Sequence, residues 1–95
     1  MFILIPQPKF TRKLKRLLKK NRALENAVRT TLALLAENPA SPKLRTHKVT
    51  IEGKRVFSSS LNDDLRIIWR YQSTGLEVID LLDVGGHEGS KKVYR

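Results

Sequence analysis

The sequence predicts an α+β domain in which an N-terminal strand and an antiparallel helix pair pack on one face of a small antiparallel β-sheet. Three observations lead there. Two stretches of helical hydrophobic period lie between Pro8 and Asn38. Strand-like runs separated by tight turn signals follow from Val56 to Val84, and consecutive strands with short turns imply a meander. A short apolar run, Met1-Phe2-Ile3-Leu4-Ile5, opens the chain and stops at Pro6. With 95 residues there is room for one core, so residues 1–95 are read as a single domain.

The opening run resembles the apolar part of a secretion signal, but no basic segment precedes it and no small-residue cleavage site follows, so it is read as a first strand. From Pro8 to Lys20, Phe10, Leu14, Leu17 and Leu18 keep the i, i+4, i+7, i+8 spacing of one buried helix stripe. Arg12, Lys13, Lys15, Arg16, Lys19 and Lys20 occupy the other side, which is either solvated surface or a ligand-facing surface. Asn21 breaks this helix. Leu24, Ala27, Val28, Thr31, Leu34 and Leu35 carry a second one, which Asn38-Pro39 stops because proline restricts the residue before it and donates no amide.

Ala40 to Lys43 reads as loop, and Leu44 to Val49 has no clear period. Glu52-Gly53-Lys54 is a turn, Val56 to Leu61 a strand, and Asn62-Asp63-Asp64 the turn into Leu65-Arg66-Ile67-Ile68-Trp69-Arg70-Tyr71. Alternation in that strand puts Leu65, Ile67, Trp69 and Tyr71 on the core face and Arg66, Ile68 and Arg70 on the open one. A turn at Ser73-Thr74-Gly75 leads to the last strand, Leu76 to Val84, which runs into Gly85-Gly86-His87. A tail element ending at Tyr94 completes the order.

Nineteen Lys and Arg against nine Asp and Glu give a formal net charge of +10. In a domain this small such an excess favours nucleic acid first, an acidic protein partner second and a membrane surface last. No apolar run approaches the roughly 20 residues that span a bilayer. The expected protein is soluble. The chain has no cysteine, which removes disulfides and thiolate chemistry and suits a reducing cytosol, so the cytoplasm is the expected compartment.

Arginine forks match phosphate oxygens in pairs, so Arg66 and Arg70 on a rigid strand are candidate phosphodiester clamps; cross-strand pairing with Asp80 or Glu77 is the competing reading. His47 and His87 are candidate proton-transfer groups, and the glycines around His87 allow close approach of backbone to a ligand. No His-x-x-x-His or paired-carboxylate spacing points to a metal, and no cofactor is expected. Ser58-Ser59-Ser60 lacks the G-x-S-x-G context of a nucleophile and reads as small hydroxyls on a strand. Tyr94, within Lys91-Lys92-Val93-Tyr94-Arg95, either stacks on a base or pins the tail.

Taken together, the Phe10 helix, Lys43-Leu44-Arg45, the Leu65 to Trp69 strand, Asp83-Val84-Gly85-Gly86-His87 and Val93-Tyr94 resemble the RelE/ParE superfamily of type II toxins, most closely its RelE and YafQ-like ribonuclease branch. The resemblance covers nearly the whole chain and rests on the order and spacing of these pieces. It implies an mRNA interferase: an endoribonuclease that needs no metal, acts on the ribosome, and is held in check by a cognate antitoxin. By the same resemblance Arg66 binds the scissile phosphate, Arg45 matches a basic residue after Lys-Leu, and His47 matches a YafQ-like histidine, with Val49 where that branch has leucine. Asp64 matches a YafQ-like aspartate, His87 the catalytic position after the glycine, and Tyr94 the late tyrosine. Lys43, Lys48, Arg70, Lys91 and Lys92 would then add contacts to RNA. The chain also departs from the pattern. The two strand lysines of RelE fall near Phe57 and Ser59, a second YafQ-like histidine near Ser60, and the stretch from His87 to Tyr94 is longer. A ParE-like gyrase inhibitor and a non-catalytic RNA-binding module are the alternatives. Two histidines argue against the first, and aromatics on the core face argue against the second.

Overall fold

The computed structural model describes residues 1–72 and 77–86. The order is β1 (Ile3–Pro6), α1 (Pro8–Lys20), α2 (Leu24–Glu37), a short 3-10 turn (Pro42–Leu44), β2 (His47–Ile51), β3 (Lys54–Ser60), β4 (Arg66–Tyr71) and β5 (Val78–Gly85). The strands form one sheet in the order β1-β5-β4-β3-β2, with the helices packed against it. The turn expected at Ser73 to Gly75 and the tail element lie outside the described residues. Among the described residues, no helix is long and apolar enough to cross a membrane.

Pro8 opens α1 at the position where a missing amide proton costs nothing, and Lys19 and Lys20 close it next to the carbonyl end of the helix dipole. Phe10 is fully buried, with Leu14, Leu17 and Leu18 packed beside it, as the spacing predicts. On α2, Leu24, Val28, Thr31 and Leu35 are the buried stripe. The sheet is mixed rather than purely antiparallel: β2 to β5 form the expected meander, while β1 runs parallel to β5 with Ile3 opposite Val78 and Pro6 opposite Leu81. Turn residues in the sequence report only hairpins, and the pairing of β1 depends on a strand most of the chain away. Gln7 N–H donates to Leu81 O just before Pro8, so this pairing also sets where α1 begins.

Leu44 to Val49 contains a strand that the periodicity does not reveal. β2 is an edge strand with Val49 and Ile51 as its apolar residues, and its register comes from the turn instead. Glu52 and Gly53 both have positive φ, 52° and 77°, which is the geometry of a two-residue hairpin whose twist matches the flanking strands. A Cβ on Gly53 would meet nothing within 4 Å, so Gly53→Ala carries only the left-handed backbone penalty. A loss of about 1–2 kcal/mol is expected, measurable by urea denaturation.

Ile67, Trp69, Leu81 and Val84 meet the helices in the main core, and Trp69 is 1% exposed. Its ring stacks on Phe57 at 4.6 Å, and its Nε1–H donates to Ser59 Oγ at 2.8 Å. The opposite face of the sheet holds a smaller cluster of Ile68 and Val56 with Val49, Ile51 and Leu82 around it. The phase of β4 therefore follows the predicted alternation, but burial does not follow it throughout: Arg66 is half-buried, Ile68 on the open face is buried in the smaller cluster, and Tyr71 on the core face is exposed.

Candidate active site

Arg66 opens β4 between Ser60 of β3 and Gly85 of β5. Its side chain does not extend into solvent but folds along the sheet. Nε donates to Ser58 Oγ at 2.6 Å, and Nη2 donates to Ser58 O and to Arg45 O, both at 2.8 Å. All three acceptors are neutral. Among the described residues no carboxylate pairs with this guanidinium, so the fork is aimed without being neutralised.

Ser58 makes this possible. It is fully buried, sits opposite His47 on β2 and Ile68 on β4, and shares the Arg66 face by strand alternation. Reading the serine run only for a nucleophile misses this role. The usable signal is that Ser58 and Arg66 occupy like-facing positions on paired strands. Ser59 faces the other way and binds Trp69 and Thr46, with Thr46 Oγ1 and Ser59 Oγ 2.5 Å apart.

The Arg66 bond to the Arg45 carbonyl also holds the loop that starts β2. Arg45 caps the 3-10 turn in a left-handed conformation, φ 48°, which a residue with a Cβ rarely adopts without support. His47 follows two residues later, exposed and beside Ser58. On the other side, Asn62 Oδ1 accepts from Asp64 N at 2.9 Å and Leu65 N at 2.8 Å, which sets the turn that presents exposed Asp64 just ahead of Arg66. The fold thus gathers Arg45, His47, Asp64 and Arg66 at one end of the sheet.

The other sequence-predicted residues are placed differently. Gly85 lies opposite Arg66, so β5 ends beside the arginine and Gly86 leads out of it. His87, Lys91, Lys92 and Tyr94 lie outside the described residues. Arg70 lies about 13 Å further along the strand at 3.3 Å per residue. Its Nε meets Asp80 Oδ2 at 3.3 Å, the cross-strand pairing weighed against a phosphate role. Asp80 also accepts from Gln7 at 3.2 Å and Gln72 at 2.7 Å. Lys43 is exposed on the 3-10 turn, and Lys48 faces away from His47 on the edge strand.

A bulge between Leu81 and Asp83 adjusts β5 just before Gly85. Asp83 is buried there, pairs with Lys9 at 3.3 Å and Lys13 at 2.8 Å, and accepts from Val84 N at 2.8 Å. Lys13, expected on the free basic side of α1, instead ties that helix to the strand that delivers Gly85 to Arg66. Asp83→Asn leaves two ammonium groups without their counter-charge. A loss of about 1–3 kcal/mol is expected in chemical denaturation.

No protein-family model and no curated protein sequence matches the chain. Solved structures do. YafQ from E. coli superposes with a TM-score of 0.70 at 16% identity, covering 90% of this chain and 93% of that one. A metal-bound toxin from Helicobacter pylori gives 0.67 at 26% identity, covering 92% and 96%. A YoeB/ParE toxin from Agrobacterium tumefaciens gives 0.74 at 9% identity, covering 92% and 100%. E. coli YafQ is also solved in a complex with DinJ, where the superposition gives 0.71 at 16% identity over 92% and 94% of the two chains. These neighbours are toxins, and this chain has the RelE/YafQ-like toxin fold.

Proposed function

We propose that the chain is the toxin of a type II toxin–antitoxin pair and that it cleaves messenger RNA on the ribosome. The observation that carries this reading is the Arg66 fork, held by three neutral acceptors and uncompensated by any described carboxylate. A half-buried cation in that state is stabilised when an anion arrives, and a phosphodiester matches the fork. YafQ-like neighbours and the DinJ–YafQ complex support the toxin role and an antitoxin partner.

In this reading the ribose 2′-oxygen attacks the adjacent phosphorus in line, the P–O5′ bond breaks, and the products are a 2′,3′-cyclic phosphate and a 5′-hydroxyl. His47 or Asp64 takes the 2′-proton, Arg66 and Arg45 stabilise the charge that builds on the phosphorane, and His87 or Tyr94 protonates O5′. The chain's residues supply all of these roles without a metal. The ribosome aligns the substrate, with Arg12, Lys15, Arg16, Lys19 and Lys20 of α1 docking to ribosomal RNA. The antitoxin presents an acidic segment that covers the Arg66 end of the sheet.

Induction of the chain alone is expected to arrest growth. Primer extension on a reporter mRNA should then show cuts that disappear when its start codon is removed. Intact RNA together with inhibited gyrase supercoiling would replace this reading with a ParE-like one, and neither effect would leave an RNA-binding module.

A further inference from the structure

The helices do not cover the whole core face of the sheet. At the β3–β4 end it meets the loop of residues 38–46, and an open cleft of about 320 Å3 remains, walled by Phe57, Trp69 and Tyr71 and rimmed by Pro39, Pro42 and Arg45. Tyr71 is 46% exposed and Phe57 half-buried. The three rings form one cluster: Phe57 stacks on Trp69 at 4.6 Å, and Tyr71 meets Phe57 edge-on at 5.6 Å and Trp69 at 5.1 Å. Tyr71, placed on the core face by sequence alternation, and Phe57 are therefore partly accessible, while Trp69 lies buried behind them.

We propose that this cleft binds one nucleobase of an RNA strand. Its size lies at the small end of ligand sites, about right for a nucleoside, and its wall is aromatic. Another cleft, about 350 Å3 along α1 and β1, has a mostly aliphatic wall of Leu4, Leu14, Leu18, Leu32 and Leu81, with the ring of Phe10, 2% exposed, among them. That wall suits a peptide's side chains; rings suit a base, because every base has a π-face. Among the described residues, no acidic one lines the aromatic cleft.

Arg45 supplies the link to the proposed active site. It lines the cleft while its carbonyl accepts from Arg66, so the residue that borders the proposed phosphate site on one side of the sheet also borders the base site on the other. The proposal rests on the RNA reading above only in taking RNA as the ligand.

The test uses the full chain and a short oligoribonucleotide with 2′-O-methyl groups, which cannot be cut by internal attack. Trp69, the chain's single tryptophan, reports through its fluorescence. The expected result is a Tyr71-dependent change in its emission: Tyr71→Leu, which keeps apolar bulk, weakens binding about 10-fold or more, and Tyr71→Phe restores it to within about twofold. An abasic residue at one position should abolish the difference between wild type and Tyr71→Leu. Equal binding by wild type and by a folded Tyr71→Leu overturns the proposal. So does fluorescence that responds to an acidic peptide and not to the oligoribonucleotide, which makes the cleft a protein-binding surface. Tyr71-dependent binding by a chain that cuts no RNA keeps the cleft and sinks the nuclease reading; cleavage and binding both indifferent to Tyr71 do the reverse.

Discussion

Arg66→Ala is expected to lower RNA cleavage by about 100-fold to 1,000-fold, the usual consequence of removing a preorganised group that meets developing charge. The substitution removes a guanidinium that is held in place from a strand by neutral acceptors and has no described carboxylate partner, whereas Arg70, paired with Asp80, keeps its partner and should be far less sensitive. Arg66→Lys separates charge from aim. One ammonium restores the positive charge but cannot reproduce a planar fork that donates to Ser58 Oγ, Ser58 O and Arg45 O, so most of the loss should remain. Ser58→Ala leaves the guanidinium in place without its Nε acceptor, and an intermediate loss is expected. The readout is primer extension over a time course, with thermal unfolding alongside. His87→Ala belongs in the same series, as the candidate acid that follows the Gly85-Gly86 exit beside Arg66. If Arg66→Ala cuts within severalfold of wild type, the phosphate-clamp assignment is lost.

Trp69→Ala should be the most destabilising single change, about 3–5 kcal/mol by the usual cost of truncating a large core aromatic. Small domains hold only about 5–15 kcal/mol in total, so the variant should be partly unfolded near body temperature. Two contributions are lost together: burial of an indole that packs against Phe57, and a donor to Ser59, which also binds Thr46. Trp69→Phe separates them. It retains a ring against Phe57 and removes only the Nε1–H donor, and Ser59 Oγ still has Thr46 as a partner, so about 1–2 kcal/mol is expected. Far-UV circular dichroism in urea is the appropriate measurement, since the substitution removes the fluorophore. A loss under about 1 kcal/mol for Trp69→Ala would mean that the helix layer does not rest on this residue.

The residues around Arg66 show how far alternation carries. Period two along β4 is enough to place Trp69 and Arg66 on opposite faces, and the buried indole and the open-face arginine agree. It does not show what the arginine does with its length. Arg66 folds back because β3 offers a buried serine hydroxyl and a carbonyl on the same face, and because the loop before β2 turns its Arg45 carbonyl toward the same point. Those acceptors come from segments 8 and 21 residues earlier, and no local pattern encodes their meeting.

The amino-acid sequence by itself determined the helix pair, the phase of the central strand, the cationic excess and the resemblance to RelE-like toxins, because each is written in local period, composition or motif order. The direction of β1, the edge strand β2, the Asp83 ties to Lys9 and Lys13, the Ser58 anchor and the aromatic cleft were decided only by tertiary structure. Each of these joins residues that the chain separates, and their register depends on how the helices fill one face of the sheet and how much of it they leave open.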